Sequence, residues 1–226
     1  MGSEEDPQPS SIDSLPDEVI LNIFHHVRKH HDWTRVAMLH ATVTVSQVCS
    51  RWRAIALEAS VLWSELVFRA SDMRNLGIAE RAGDRMDTCL LRSRSHPLNI
   101  YFDLLNPGCA IFPLEIFNAF VLPSLWRCRI LEVVISDWNI ASAIFPLRCN
   151  LSCMQSLGVA IQLGFDDEDE FPPALEIGGL RGVPFYPSRL RVDSMLPINF
   201  PYIDSSRLQD LFITNEMIGY TSLTKA

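Results

Sequence analysis

Apolar residues recur at helical spacing near the start of the chain. In the segment SLPDEVILNIFHHV, which begins at Ser14, apolar side chains return every three or four residues, a period typical of one face of an amphipathic helix. Ser14 is a suitable N-cap, Pro16 suits a first helical turn, and the two acidic residues after it favour the positive end of a helix. The pattern therefore predicts a short helix that begins near Pro16.

A second apolar band lies in the segment VSQVCSRWRAIALEASVLW, residues 45–63. Its apolar residues again return at intervals of three and four, and polar residues occupy the other face, so we expect one helix that continues through most of the segment. A short link then leads to Leu62, Trp63 and Leu66. Residues 12–68 are thus predicted to hold three short helical elements. They carry more large apolar side chains than so small a unit can bury, so the rest of the chain or a partner must cover some of them.

After residue 70 the apolar period alternates between that of a helix and that of a strand. Residues 71–95 repeat with helical spacing, whereas Leu98, Ile100 and Phe102 alternate with other residues as in a strand. The segment PLEIFNAFVL is again helical in pattern, and further alternating segments begin near residues 131, 157, 190 and 211. The sequence thus predicts an α+β protein in which helices and strands alternate.

Composition and charge exclude several classes of function. The chain has 226 residues, of which 48% are hydrophobic and 20% charged, and its formal net charge at pH 7 is −8. Such a chain is not expected to bind nucleic acid phosphates or an anionic membrane surface. We find no signal peptide and no apolar run of roughly 18 residues, so we expect no membrane span. The six cysteines form no CxxC pair, so reduced thiols and a cytoplasmic or nuclear location are expected.

Candidate catalytic and metal-binding residues are few. His26 and His30 are spaced i, i+4 within HHVRKHH, which can suit Zn²⁺, but no HExxH motif or further ligand is evident. We therefore expect a solvated connector, and neither a metal nor a cofactor. The sequence holds no GxSxG, P-loop or GxGxxG motif, and Cys49 lies on the apolar band, where a buried thiol is expected rather than a nucleophile. These observations predict a protein that is not an enzyme.

The two N-terminal segments together resemble the F-box, in the F-box-like form that is common in large fungal protein families. The matching features follow one another in the expected order: the Leu15-Pro16 start, the Ile23-Phe24 pair, the VCSRWR core and the Leu62-Trp63 pair. The connector that contains HHVRKHH is longer than in compact F-boxes. The resemblance implies a three-helix F-box-like module over residues 11–68, which docks on the Skp-family adaptor of a cullin–RING ubiquitin ligase.

The resemblance also implies which residues contact the adaptor. Leu15 and Pro16 would enter an apolar pocket on the adaptor, and the following helix would extend that contact. Interface anchors of this kind are enriched in aromatic side chains and lie at desolvated centres. The full set of expected contacts is Leu15, Pro16, Ile20, Ile23, Phe24, Val45, Val48, Cys49, Trp52, Leu62 and Trp63.

The second part of the chain resembles, in places, a leucine-rich repeat. The segments MQSLGV and LQDLFI fit the LxxLxL core, but the predicted strands are spaced irregularly, and Gln162 and Glu216 stand where the repeat would have Asn. We expect a linking helix at residues 69–95 and an irregular α/β leucine-rich-repeat-like array at residues 96–226, with an ordinary α/β layer as the alternative. Many F-box proteins carry repeats that recruit the substrate, and stacked units expose a concave face suited to binding proteins.

Three further segments lack a clear helical or strand pattern. Residues 1–10 are acidic and contain proline, so we expect them to be disordered. The acidic run DDEDE at residues 166–170 is expected to be a solvated loop, and contact with a basic substrate segment is the alternative. The final segment NEMIGYTSLTKA offers no obvious cap for a solenoid, so we expect a short or truncated substrate platform.

Two functions are consistent with these patterns. In the first, the protein is a non-enzymatic substrate-receptor subunit of an SCF-type ubiquitin ligase, which binds a Skp-family adaptor through the F-box and an unknown protein substrate through the C-terminal region. In the second, it is an interaction scaffold outside the ubiquitin system, whose N-terminal helices only cap the repeat region. The first function predicts that Leu15, Pro16, Ile20 and Phe24 face outward, whereas the second predicts that they are buried.

Overall fold

The computed structural model describes residues 12, 14–30, 41–69, 76–105, 111–145, 151–161, 175–176, 186–194, 198–199, 203, 205–214 and 221–222. The segment predicted to be disordered, most of the polar connector and the acidic run at residues 166–170 lie outside these residues. The chain forms two compact units, one that ends at Trp63 and one that begins at Ser64.

The N-terminal unit is helical. Helix α1 spans Asp17–His30, a short helical segment covers residues 41–45, helix α2 spans Ser50–Glu58, and a 3₁₀ turn covers Ser60–Trp63. The predicted start of the first helix is confirmed, because the Pro16 carbonyl accepts hydrogen bonds from the backbone N–H groups of Val19 at 3.0 Å and Ile20 at 3.2 Å. Two acidic residues lie in the first turn of α1, where they favour its positive end.

The predicted continuous helix that begins at residue 45 is wrong. The chain leaves the helical conformation at residues 46–49, and the Ser46 hydroxyl donates a 2.6 Å hydrogen bond to the Val43 carbonyl, a local bond that competes with helix continuation. Cys49 is extended, with φ −153° and ψ 173°, and serves as the N-cap of α2. Its Sγ accepts a hydrogen bond from the Trp52 N–H at 3.5 Å. The apolar spacing runs through this turn unchanged, so periodicity could not show the break.

The core of the N-terminal unit joins α1, α2 and the 3₁₀ turn. The ring of Phe24 contacts that of Trp52 edge to face, with centroids 5.0 Å apart, a favoured geometry for aromatic pairs. The indole N–H of Trp63 donates a 2.7 Å hydrogen bond to the Ala56 carbonyl, and the buried Thr42 hydroxyl donates to the Leu62 carbonyl at 3.2 Å. The polar atoms of these buried side chains are therefore satisfied within the unit.

The C-terminal unit contains a sheet whose strands follow the predicted alternation. The strands are β1 Glu65–Arg69, β2 Leu98–Leu104, β3 Cys128–Ile135, β4 Ser156–Ile161, β5 Leu175–Glu176, β6 Arg189–Ser194, β7 Ile198–Asn199, β8 Asp210–Thr214 and β9 Thr221–Ser222. Seven of them form one sheet in the order β1-β2-β3-β4-β6-β8-β9, and β5 and β7 form a separate parallel pair. Strand β9 is antiparallel to β8, and the other six are parallel. The five strands predicted near residues 98, 131, 157, 190 and 211 are confirmed as consecutive neighbours in this sheet.

Helical segments connect the parallel strands. Helix α3, Leu76–Ser93, lies between β1 and β2. Helix α4, Ile111–Ile116, continues through a π-helical turn and a 3₁₀ segment that ends at Arg127, directly before β3. Helix α5, Trp138–Ile144, follows β3. One expectation is corrected here, because Leu66 lies in strand β1 and does not belong to a third helical element.

Aligned apolar residues form the core of the sheet. Leu131, Leu157, Leu190 and Leu211 are direct register partners from β3 to β8, and the first three are at most 4% exposed. Because alternate side chains of a strand point to opposite faces, this row and the row two residues further on lie on the same buried face. Strands β3, β4 and β6 therefore bury equivalent positions, as the alternation in the sequence predicts, whereas Ile213 of β8 is 45% exposed.

Two of the turns that precede strands have the same hydrogen bonds. In the segment MQSLGV, Met154 N donates to the Leu151 carbonyl at 2.9 Å and Gln155 N donates to a carbonyl of the preceding strand at 2.8 Å. In LQDLFI, Leu208 N donates to the Ser205 carbonyl at 3.1 Å and Gln209 N to the Ser188 carbonyl at 2.8 Å. The two segments that matched the LxxLxL pattern thus share their local geometry. The assignment of the whole region as a leucine-rich repeat stays a prediction.

A buried arginine caps the C-terminal end of α3. Arg127 is 8% exposed and donates hydrogen bonds to the carbonyls of Leu90, Arg94 and His96. These contacts satisfy carbonyls that a helix end leaves without intrahelical partners. Burial lowers the pKa of the Arg127 guanidinium from its ordinary value. The next turn includes Arg94 at φ 51°, a left-handed conformation that glycine usually occupies at a helix end.

Candidate functional site

The start of α1 is held by an arginine from α2. Arg51 Nη2 donates hydrogen bonds of 2.5 Å to the Leu15 carbonyl and 2.5 Å to Asp17 Oδ1, and its Nε donates to the same carboxylate oxygen at 3.1 Å. A planar guanidinium suits such multiple contacts, because its donors have a fixed fork geometry. Arg51 therefore links the backbone carbonyl before Pro16 and the side chain after it to α2.

Next to this contact, α1 has an apolar strip that the core does not use. Pro16 is exposed, Val19 is 40% exposed, and Ile23 is half-buried. Residues spaced i, i+3 and i+7 lie on the same face of a helix, so these three side chains line one face. We call Pro16, Val19 and Ile23 the α1 strip. Ile20 and Phe24, which lie about a quarter turn further round the helix, are fully buried in the core.

The structure separates the eleven residues expected to contact an adaptor into three groups. Pro16 and Val48 are exposed, and Leu15, Ile23, Cys49 and Trp52 are half-buried. The remaining five are buried: Ile20, Phe24, Val45, Leu62 and Trp63.

The expectation that Ile20 and Phe24 face outward is wrong. Each has no exposed surface, because α1 turns these two positions toward the core that contains Trp52 and the 3₁₀ turn. Pro16 does face outward as expected, because it is exposed, and Leu15 does so in part, because it is half-buried. An adaptor could therefore reach only part of the expected set without a rearrangement of the core.

Sequence reasoning missed some residues of this surface. Val19 belongs to the α1 strip, but it was not among the expected contacts. Val43 is 39% exposed, and Val48, which was expected to contribute to the core as well, is 59% exposed. Arg51 could not have been found from spacing, because its partner Asp17 lies 34 residues away in the sequence.

Among the described residues, no group of three or more His, Cys, Asp or Glu side chains could hold a metal ion. His26 is exposed, and the segment that follows α1 lies outside the described residues. Within the part of the chain that the structure covers, no helix combines the length and apolar character needed to span a bilayer.

Comparison with known proteins agrees with the geometry of the N-terminal region. Residues 12–69 match the family model described as F-box-like. No curated protein and no solved structure is significantly similar to the chain. The match includes the α1 strip, Arg51 and the VCSRWR segment that contains it. Residues 12–69 therefore form an F-box-like domain.

Proposed function

We propose that the protein is a substrate-receptor subunit of an SCF-type cullin–RING ubiquitin ligase and that its F-box-like domain binds a Skp-family adaptor. The observation that carries this proposal is the α1 strip, an apolar face of the F-box-like domain that is left exposed beside a buried core. Apolar side chains that converge on one surface without a role in the core are typical of protein-binding sites. The receptor has no catalytic role in this mechanism.

The α1 strip can supply useful binding energy. Complete burial of one large apolar side chain contributes roughly 1.5–3 kcal/mol, which is an upper limit here because Val19 and Ile23 are already partly covered. Leu15 and Val48 also belong to the expected set of adaptor contacts. Burial of several such side chains is sufficient for micromolar affinity after the entropic cost of association.

Preorganisation supports the same proposal. The bonds from Arg51 to Leu15 and Asp17 order the backbone at Pro16 before any partner arrives. A surface that is ordered in the free protein loses less conformational entropy on binding. We therefore assign to Arg51 a positioning role, and to Leu15, Pro16, Val19, Ile23 and Val48 the contact with the adaptor. The buried members of the expected set form the core that supports them.

The C-terminal unit then holds the substrate. Its six parallel strands present one face without buried apolar rows, and the matched turns of MQSLGV and LQDLFI support a repeat architecture of the leucine-rich type. The receptor acts by raising the local concentration of a bound protein substrate near the ubiquitin-charged E2 enzyme. This function takes place in the cytoplasm or the nucleus and needs no cofactor.

The scaffold alternative has one observation in its favour. Burial of Ile20 and Phe24 is what a purely capping role predicts. That burial is also explained within the N-terminal unit, where Phe24 packs on Trp52. Exposure of Pro16 and Val19 is not expected of a cap, and it favours the receptor function.

A matched pair of variants tests the proposal. The affinity of the full chain for a purified Skp-family adaptor is measured for wild type, Val19→Glu and Leu91→Glu. Leu91 is 79% exposed on α3, so the control makes the same chemical change outside the F-box-like domain. We expect Val19→Glu to weaken adaptor binding at least tenfold and Leu91→Glu to leave it unchanged. Equal affinities of the two variants would reject the α1 strip as the binding site.

A further inference from the structure

The main sheet of the C-terminal unit has one covered and one open face. On β6, Leu190 and Val192 are each 4% exposed, whereas Arg189 and Arg191 are exposed. Because successive side chains of a strand point to opposite faces, both arginines lie on the open face. Phe212 of β8 is the register partner of Arg191 and is 54% exposed, so it lies beside Arg191 on the same face.

Arg191 is a cation of this face that no carboxylate among the described residues pairs, although the acidic residues Asp193 and Glu132 lie on the same face. Arg189 Nε lies 3.0 Å from Asp210 Oδ2, and this ion pair offsets both charges. Arg191 makes no hydrogen bond or ion pair with any residue that the structure describes. Asp193 is two residues further along β6, where the Cα atoms of the two residues are about 7 Å apart.

A second arginine and a second aromatic ring lie at the N-terminal ends of the same two strands. Arg207 is exposed just before β8, and its guanidinium carbon lies 5.1 Å from the centre of the Tyr186 ring, which precedes β6. Tyr186 is itself 39% exposed. The Tyr186–Arg207 pair therefore precedes the same two strands that carry Arg191 and Phe212, and the Arg189–Asp210 ion pair lies between the two pairs along the strands.

Strand β4, on the other side of β6 from β8, has a glycine beside Arg191. Gly158 of β4 is the register partner of Arg191, so no side chain of β4 stands beside the guanidinium at this level. The Glu132 stem already covers Gly158, because a Cβ added there would lie 3.0 Å from Glu132 Cγ. A partner's anionic group is therefore directed to the side of Arg191 that faces Phe212.

We propose that Tyr186, Arg191, Arg207 and Phe212, the β6–β8 patch, bind an acidic segment of a protein partner. A carboxylate of the segment pairs with Arg191, and a neighbouring apolar side chain packs on Phe212. Guanidinium–carboxylate bonds are among the stronger hydrogen bonds, and aromatic and arginine side chains are enriched at protein interfaces. Nucleic acid is disfavoured as the occupant because a phosphate backbone needs a run of clustered cations, whereas Arg189 is already paired with Asp210 and Asp193 lies on the same face. The inference rests on the proposed function only in that the segment would belong to the substrate.

The test uses a fluorescein-labelled peptide of five Glu-Leu pairs and a matched peptide of five Lys-Leu pairs. Fluorescence anisotropy measures the binding of each peptide to the full chain as wild type, Arg191→Glu and Arg85→Glu. Arg85 is exposed on α3, so the control makes the same charge change away from the sheet. Adaptor affinity is measured on the same preparations, and circular dichroism confirms that each variant is folded.

We expect the wild-type chain to bind the Glu-Leu peptide and not the Lys-Leu peptide. Arg191→Glu should weaken the affinity for the Glu-Leu peptide at least tenfold, whereas the affinity of Arg85→Glu should stay within twofold of wild type. Equal losses in the two variants would overturn the proposal, as would absence of peptide binding by the folded wild type. Tighter, Arg191-dependent binding of a single-stranded oligonucleotide would overturn it in favour of a nucleic acid surface. Peptide binding by a chain that fails to bind the adaptor would leave this inference standing while rejecting the proposed receptor function.

Discussion

The Arg51 guanidinium donates two hydrogen bonds to the Asp17 carboxylate, 34 residues earlier in the chain, and a third to the Leu15 carbonyl. Arg51 belongs to the VCSRWR segment, so these bonds connect that segment to the Leu15 backbone and the Asp17 side chain, on either side of Pro16. The contact contributes little to stability, because the side chains of Arg51 and Asp17 are 36% and 62% exposed. Exposed pairs of this kind contribute at most about 1 kcal/mol to folding.

Loss of the arginine should therefore change binding more than stability. We predict that Arg51→Ala weakens adaptor binding about tenfold and lowers the free energy of unfolding by less than about 1 kcal/mol. Arg85→Ala, at an exposed position of α3 outside the F-box-like domain, is the control and should retain wild-type affinity. Calorimetric titration and urea denaturation measure the two quantities. A loss of affinity that is the same in both variants would contradict the positioning role.

Gly158 is predicted to contribute to stability because it has no side chain next to Glu132. A Cβ at this position would lie 3.0 Å from Glu132 Cγ, a tight contact that the Glu132 stem would have to relieve by shifting. Gly158→Ala should cost about 1–3 kcal/mol of unfolding free energy through overpacking. Glu132→Ala removes the colliding atom, so the Gly158→Ala change should cost much less in that background. Urea denaturation of the four proteins of the cycle measures the coupling, and additive effects would show that the contact is not the cause.

The turn after α3 offers a stabilising substitution. Arg94 has φ 51°, a conformation that costs an ordinary residue about 1 kcal/mol relative to glycine. Its carbonyl accepts the Arg127 bond through the backbone, so Arg94→Gly keeps that contact. We predict that Arg94→Gly raises the free energy of unfolding by about 1 kcal/mol. Ser95→Gly, one residue later, should not stabilise the protein, and an equal gain there would reject the conformational explanation.

His96 makes stability depend on pH near neutrality. Its pKa is lowered from 6.5 by burial and then by the positive charges of Arg129 and Arg127. The unfolded chain therefore takes up the proton first as the pH falls, so stability is present above about pH 6.5 and is lost below it. We predict that the urea midpoint falls between pH 7.5 and 5.5, and that it falls less in His96→Gln. The same pH dependence in both proteins would contradict this assignment.

Some of the architecture could be predicted because it follows from local patterns. Leu131, Leu157 and Leu190 begin alternating segments, and the structure makes them direct neighbours in one parallel sheet. The period of two is a property of a single strand, and each segment shows it independently. The order of the F-box features was likewise readable, and the family match at residues 12–69 confirms it.

Other features depend on contacts between distant residues. In α1 nearly every position from Val19 to Phe24 is apolar, so periodicity could not decide whether Ile20 or Val19 faces the core. The core around Trp52 decides it. The turn at residues 46–49 was hidden because apolar spacing continues across it, and the Arg51–Asp17 contact has no local signal at all.

The central claim is that the F-box-like domain presents a ready-made apolar surface to a Skp-family adaptor. The most direct measurement is isothermal titration of the full wild-type chain with the purified adaptor at several temperatures. We predict a dissociation constant in the micromolar range or tighter and a negative heat-capacity change, since apolar surface is buried on binding. No binding by a folded chain, or binding that Val19→Glu leaves unchanged, would contradict the account.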